Sequence, residues 1–171
     1  HIGVLNTDQM AVLSTDQIAA LTTDQIAELS TDQLSVLSAA QLSGMEALDF
    51  ASLLDDQLTS LSADQLQNLT TDQVTALSAD QLDLLDTDQM AAIGTILTQA
   101  LTTDQFVALS TTQLQYWSQA QIAALSLDQL SVMTTDQLVS MGTDQVASFS
   151  ATQIPSLMTK HVVALSNEQV A

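Results

Sequence analysis

An all-α solenoid built from about 21 very short helices, one per eight-residue repeat, is the fold class the sequence predicts. Three observations lead to it. A glutamine returns every eight residues, a helix-start signal surrounds each one, and two apolar columns keep fixed places in the octad. Together they describe helices that begin again before they can grow long.

The period comes first. Gln9, Gln17, Gln25, Gln33 and Gln41 are eight residues apart; Asp49 interrupts, and Gln57, Gln65, Gln73, Gln81 and Gln89 resume in phase. Leu97 interrupts again before the run from Gln105 through Gln113, Gln121, Gln129, Gln137 and Gln145 to Gln153. His161 takes the next position and Gln169 is back in register. No insertion or deletion shifts the phase, which marks a repeat array along residues 1–171.

Eight residues do not fit a continuous helix. At about 3.6 residues per turn they overshoot two turns, so an apolar stripe would wind around the helix and face every side within a few repeats. They do not fit a strand either, because Asp, Gln and Ala recur without period-two alternation and the chain has only four glycines for turns. They do fit a helix N-terminus. Ser14-Thr15-Asp16-Gln17 is a capping box, in which the Ser hydroxyl accepts from the Gln backbone N–H and the Gln side chain reaches back to the Ser N–H. Leu13 before the cap and Ile18 after it form a hydrophobic staple, and Asp16 sits where the helix dipole favours negative charge. The cap residue is non-helical, so the axis turns at each one. Equal turns at equal intervals make a superhelix, expected here with three or four helices per coil, since two would require a full reversal without a loop.

The apolar columns supply its core. One reads Leu5, Leu13, Leu21, Leu29, Leu37, Met45 and Leu53, and later admits Trp117 and Phe149; the other reads Met10, Ile18, Ile26, Leu34, Leu42 and Phe50, with Thr98 its one polar member. Isolated helices this short are unstable, so coil-on-coil packing must hold the array. Three stretches depart from consensus. Glu46–Asp49 loses the box, Gly94–Thr98 loses cap, Asp and Gln together, and Ile154-Pro155 places Pro inside a helix, followed by an irregular Met158–His161. The plain reading of these octads is drift in a tolerant array; the sharper one is a bend or a partner-docking face, since Leu48, Ile96 and Leu97 put apolar side chains where Asp or Gln belongs.

Composition limits the partners. One basic residue, Lys160, stands against 20 acidic ones, a net charge of −19. Such a surface repels nucleic acid and anionic lipid, and no apolar run is long enough to span a membrane. There is no cysteine for a disulfide or thiolate site. Thirteen octads keep Asp in one column, from Asp8 and Asp16 to Asp136 and Asp144. That column serves the helix dipole and solubility; a calcium loop would need clustered carboxylates and a tight glycine turn. Weak association of divalent cations along the carboxylate rows is expected, with no specific metal site. The regular hydroxyls could face ice or a mineral, but as helix caps they are already engaged. His161 reads as a surface or cap-substituting side chain, Trp117 as core and Tyr116 as a possible contact. No nucleophile motif, phosphate loop or metal cluster occurs, so no catalytic, cofactor-binding or metal residue is assigned and the chain is expected not to be an enzyme.

The tandem "LSTDQIAAL" and "LTTDQIAEL" resemble octapeptide tracts in large secreted or surface adhesin-like proteins of Gram-negative bacteria. The resemblance spans essentially the whole chain. It implies an extracellular or cell-surface structural element: a stalk, a spacer or a filament-forming subunit. The other reading is a solenoid module that binds a protein, glycan or mineral surface. The chain is expected to be one continuous solenoid over residues 1–171. Ile2 and Leu5 enter mid-octad and Gln169 stays in phase, so open ends are also expected, with continuation in a longer array or end-to-end self-association.

Overall fold

The computed structural model describes residues 2–169. Among the described residues there are 19 α-helices, two 3-10 helices and no strand. The chain divides into two compact units, His1–Leu85 and Asp86–Ala171. The first opens with a 3-10 turn, Ile2–Val4, and continues through α1 (Thr7–Ala11), α2 (Thr15–Ala19), α3 (Thr23–Ala27), α4 (Thr31–Ser35) and α5 (Ala39–Ser43). It then runs through α6 (Ala47–Ala51), α7 (Asp55–Thr59), α8 (Ala63–Leu66), α9 (Thr71–Ala76) and α10 (Ala79–Asp83). The second holds α11 (Thr87–Ala92), α12 (Thr95–Ala100), α13 (Thr103–Ala108), α14 (Thr111–Gln115) and α15 (Gln119–Ala123). It closes with α16 (Leu127–Val132), α17 (Thr135–Ser140), α18 (Thr143–Ala147), a 3-10 turn at Ile154–Ser156 and α19 (Thr159–Ala164).

Each helix packs on the third one along. In the first unit α1 meets α4, α2 meets α5, and the rule continues to α6 on α9. In the second unit α11 meets α14, α12 meets α15, and so on to α15 on α18; α16 then packs on the Ile154–Ser156 turn and α17 on α19. Three helices therefore make one coil in either unit, which decides between the three and four that the sequence allowed.

The joints explain how so little loop suffices. At the end of α9, Leu77 has φ −62° and ψ 141°, and the next residue, Ser78, has φ −71° and ψ 160°. Both lie near the polyproline II region. Two extended residues redirect the chain without any positive φ, and none occurs among the described residues. Glycine is therefore not needed at the corners. The Leu N–H closes the last turn, as when Leu13 donates to the Met10 carbonyl at 3.2 Å.

One apolar column is buried from Met10 through Leu34, Leu42, Leu58 and Leu66 to Val146, with Ile154 and Val162 beyond it exposed; the other is buried from Leu29 through Leu37, Met45, Leu53 and Leu61 to Leu157. Within the chain itself Leu48 and Ile96 are 78% and 73% exposed, and Leu97 is buried; the second helical position points outward whatever side chain it carries. One expectation needs correction. The octad with Pro155 does not form an α-helix around the proline. It narrows to the 3-10 turn Ile154–Ser156 with Pro155 in its first turn, where the missing N–H costs least.

Candidate functional site

The local unit is the capping box. In α8 the Gln65 N–H donates to Ser62 Oγ at 3.3 Å while the Ser62 N–H donates to Gln65 Oε1 at 2.8 Å. Asn6 and Asp86 replace the hydroxyl with a side-chain oxygen, accepting from Gln9 and Gln89 at 2.9 and 2.8 Å. Leu54 and Gly142 have no such oxygen, yet their N–H groups still reach Gln57 and Gln145 Oε1 at 2.8 and 2.9 Å. The glutamine half of the box is the more persistent one.

The other end of the same carboxamide does what the sequence reading missed. Gln65 Nε2 donates to the carbonyls of Leu34 and Leu37, both at 2.9 Å. Those residues lie 31 and 28 positions upstream, on the preceding coil. Gln57 reaches Ile26 and Leu29, and Gln73 reaches Leu42 and Met45. In the second unit Gln129 reaches Thr98 and Leu101, Gln137 reaches Phe106 and Leu109, and Gln145 reaches Leu114 and Trp117. A buried amide thus caps its own helix with one atom and ties two coils with the other. The acceptors lie where the preceding coil's helix ends: Leu37 is past its last turn, and Leu34, which already accepts the Leu37 N–H at 3.1 Å, takes the glutamine as a second donor. A glutamate would satisfy the box but not this bond, since an ionised carboxylate donates nothing. The recurrence of Gln, and never Glu, in this column of so acidic a chain was the available signal.

The outward faces carry less organised chemistry. All thirteen aspartates of the column are exposed. Among the described residues no three acidic or histidine side chains converge as a metal site would require. Cap hydroxyls such as Ser30, Ser62 and Thr70 are bound to backbone N–H groups. Trp117 is core, 3% exposed, with its ring 6.4 Å from that of Phe106, whereas Tyr116 is 59% exposed. The indole N–H of Trp117 is buried without a partner. Beside it lies a groove of about 390 Å³ lined by Gln115, Trp117, Ser140, Gly142, Thr143, Asp144 and Gln145.

His161 is a cap substitute rather than a surface group. It is fully buried, and its Nδ1 accepts the Met158 N–H at 3.2 Å, the bond Gln makes elsewhere. Burial, together with adjacent Lys160, lowers its pKa below the usual 6.5, against a smaller raising influence from the Met133 carbonyl. The neutral ring is required here, because a protonated Nδ1 could not accept from Met158.

The sequence carried by this geometry is Ala-Leu-Thr-Thr-Asp-Gln, found at residues 100–105 and again at 20–25. Residues 1–23 and 98–135 match the model of the ALTTAQ repeat family. The similarity covers about a third of the chain and identifies a repeat tract in those two stretches. The ALTTAQ-like Gln is the residue that makes both the cap bond and, from the second coil on, the bond between coils. No curated protein matches the chain.

Proposed function

We propose that the protein is a structural repeat element, a stalk, spacer or filament-forming segment lying outside the cell or on its surface. The observation that carries this reading is the buried glutamine ladder. It spends the most regular polar group of the octad on joining coil to coil, and leaves outward faces of exposed aspartates and small side chains. Such an element lengthens by adding octads and needs no cofactor or catalytic group. Divalent cations associate only diffusely with its acidic rows, and its charge disfavours nucleic acid. Among the described residues no helix is long and apolar enough to cross a membrane. Its partners are octads like its own, reached by continuation of the chain or end to end.

Small-angle scattering on chains differing by whole sets of three octads tests the spacer role. The longest dimension should grow by about 8–10 Å per set, the usual distance between packed helix axes. Growth in all directions would remove the reading. Labelling of intact and permeabilised cells with an antibody to the repeat tests the location, and signal confined to permeabilised cells would overturn it. The groove beside Trp117 and Gly142 favours a second reading, a module that binds a protein, glycan or mineral surface. Saturable binding abolished by filling the groove with Gly142→Trp would support that alternative over the first.

A further inference from the structure

One surface column of the octad serves neither box nor ladder. It is the position just before each joint, and its occupant varies: Ser60, Ala76 and Leu84 in neighbouring octads, Asn68 between them. The next two residues are set by the repeat itself, a joint leucine and then a Ser or Thr cap. An asparagine in this column therefore completes Asn-x-Ser/Thr, the tripeptide that accepts an N-linked sugar. Asn68-Leu69-Thr70 is the one place in the chain where this happens. Asn6 and Asn167 are followed two residues on by Asp8 and Gln169, which bring no hydroxyl.

The structure presents this tripeptide well. The helix before it, α8, is the shortest α-helix among the described residues and stops at Leu66, so Asn68 stands in a turn. The Asn68 side chain is exposed, and its Nδ2 donates to the Asp64 carbonyl at 2.9 Å. A carboxamide carries two N–H bonds; one can keep that contact while the other is substituted. Thr70 is exposed and extended, φ −82° and ψ 159°. Its Oγ1 accepts the Gln73 N–H at 3.2 Å, which leaves the hydroxyl proton to be donated elsewhere. The joint is also untied. Leu37, Met45 and Leu53 receive Gln65, Gln73 and Gln81 at 2.9, 2.9 and 3.3 Å. The position 28 residues beyond Leu69 holds Leu97, which has no donor to give. Residues 68–70 therefore lift from the coil at a smaller cost than the joints around them.

We propose that Asn68 is an acceptor site for an N-linked sugar, presented by the untied joint after α8. The co-substrate is a glycosyl diphosphate, either a sugar nucleotide or a lipid-linked sugar, brought by a transferase. Asn68 Nδ2 forms a bond to the anomeric carbon, and the bond from that carbon to the diphosphate oxygen breaks. The electron pair leaves on the diphosphate, and the displaced amide proton passes to a base of the transferase. Thr70 supplies the hydroxyl, two residues on, that the transferase reads. The sugar then stands on the outer surface, where Asn68 carries no rung and fills no part of the core. This goes beyond the structural-repeat reading and stands without it.

Cleavage on the N-terminal side of aspartate releases Asp64–Thr71 as one peptide. Mass spectrometry of that peptide, from protein isolated from its native cells, should find one or more sugar residues on Asn68. A peptide that is bare or merely deamidated throughout overturns the proposal. The donor is identified by incubating the unmodified chain with labelled UDP-glucose and the soluble fraction of those cells, or with their membranes and lipid-linked sugars. Label from either source supports the site and names the donor; label from neither overturns it. Thr70→Asn keeps a cap oxygen, as Asn6 does for α1, and removes the hydroxyl. It should melt like wild type and lose transfer at least a hundredfold, while Thr70→Ser stays within a few-fold. A Thr70→Asn chain that is modified like wild type overturns the proposal. Ala100→Asn, made in an Asn68→Gln chain, writes the same Asn-Leu-Thr where Gln129 ties the Leu101 carbonyl at 2.8 Å. Transfer there should be at least tenfold slower, and equal transfer overturns the part given to the untied joint. A bare Asn68 in a chain that still lengthens with added octads leaves the spacer reading intact.

Discussion

The octads Ser62–Leu69 in the first unit and Met158–Leu165 in the second perform one task with different side chains. In the first, Gln65 accepts from its cap N–H and donates to two carbonyls of the coil below. In the second, His161 accepts from its cap N–H, but its Nε2 is buried with no hydrogen-bond partner. The Met133 carbonyl, 28 positions upstream at the place of a normal rung, lies close enough to favour the proton without making a full bond. A box therefore accepts any side chain with a lone pair at the right reach. A rung demands an acceptor and donors on one neutral group, which the carboxamide supplies and imidazole supplies only in part. Ser62 also contributes a hydroxyl to its box, whereas Met158 cannot.

The largest expected effect comes from charging the rung. Gln65→Glu keeps the box and places an unpaired carboxylate against the Leu34 and Leu37 carbonyls. An uncompensated buried charge costs about 3–5 kcal/mol, and urea unfolding should show a loss of that order. A cost equal to that of an exposed Gln9→Glu would mean that the Nε2 bonds contribute nothing to the distinction between coils.

Removing the hydroxyl half of the box should cost less. Ser62→Ala and Ser78→Ala are each expected to destabilise by about 0.5–2 kcal/mol, with Asp72→Asn below them because its carboxylate is exposed and only interacts with the helix dipole. Equal or reversed costs in chemical denaturation would break this ranking.

The His161 octad should be the acid-sensitive one. Its folded-state pKa is depressed below 6.5, so the folded form binds fewer protons than the unfolded one. The stability it contributes is present above pH 6.5 and is lost as pH falls from there through the depressed value. Amide exchange in α19 should rise over that window while exchange in α8 stays flat. His161→Gln should abolish the difference, and a flat profile for α19 in the wild-type chain would contradict the buried neutral ring.

The smallest effect is a gain. A Cβ at Gly142 would meet only Gln145 Oε1, at 3.9 Å, so Gly142→Ser fits without strain and restores an acceptor for the Gln145 N–H. A serine cap exceeds glycine by only a few tenths, roughly 0.3 kcal/mol. A loss on this substitution would show that the groove beside Trp117 does not tolerate a hydroxyl.

The helix starts were legible because a cap, its box and its staple lie within six consecutive residues, such as Leu13–Ile18. The ladder was not, because Gln65 and Leu37 are separated by a whole coil whose helix number the octad alone leaves open. With four helices to a coil, Gln65 would have faced a different carbonyl. His161 was misplaced in part for a related reason. Beside Lys160 it reads as surface, and only the phase of the repeat puts it in a column that is buried once a coil lies beneath it. The exposure of Leu48 and Ile96 follows from that phase too, which overrides their hydrophobicity.

The fixed offset of 28 residues between donor and acceptor has a consequence for how such a chain can change its length. Insert one octad within a unit, and each glutamine beyond it still finds a joint carbonyl 28 positions back, so the interior accepts the newcomer without repair. The outside does not. Every side chain beyond the insertion advances by one helix, a third of the way around the coil, and rows of surface residues that had been aligned fall out of alignment. Only gains or losses of three octads preserve both. Slippage in the coding repeat would therefore be almost silent for folding, while it reshuffled whatever the exterior displays.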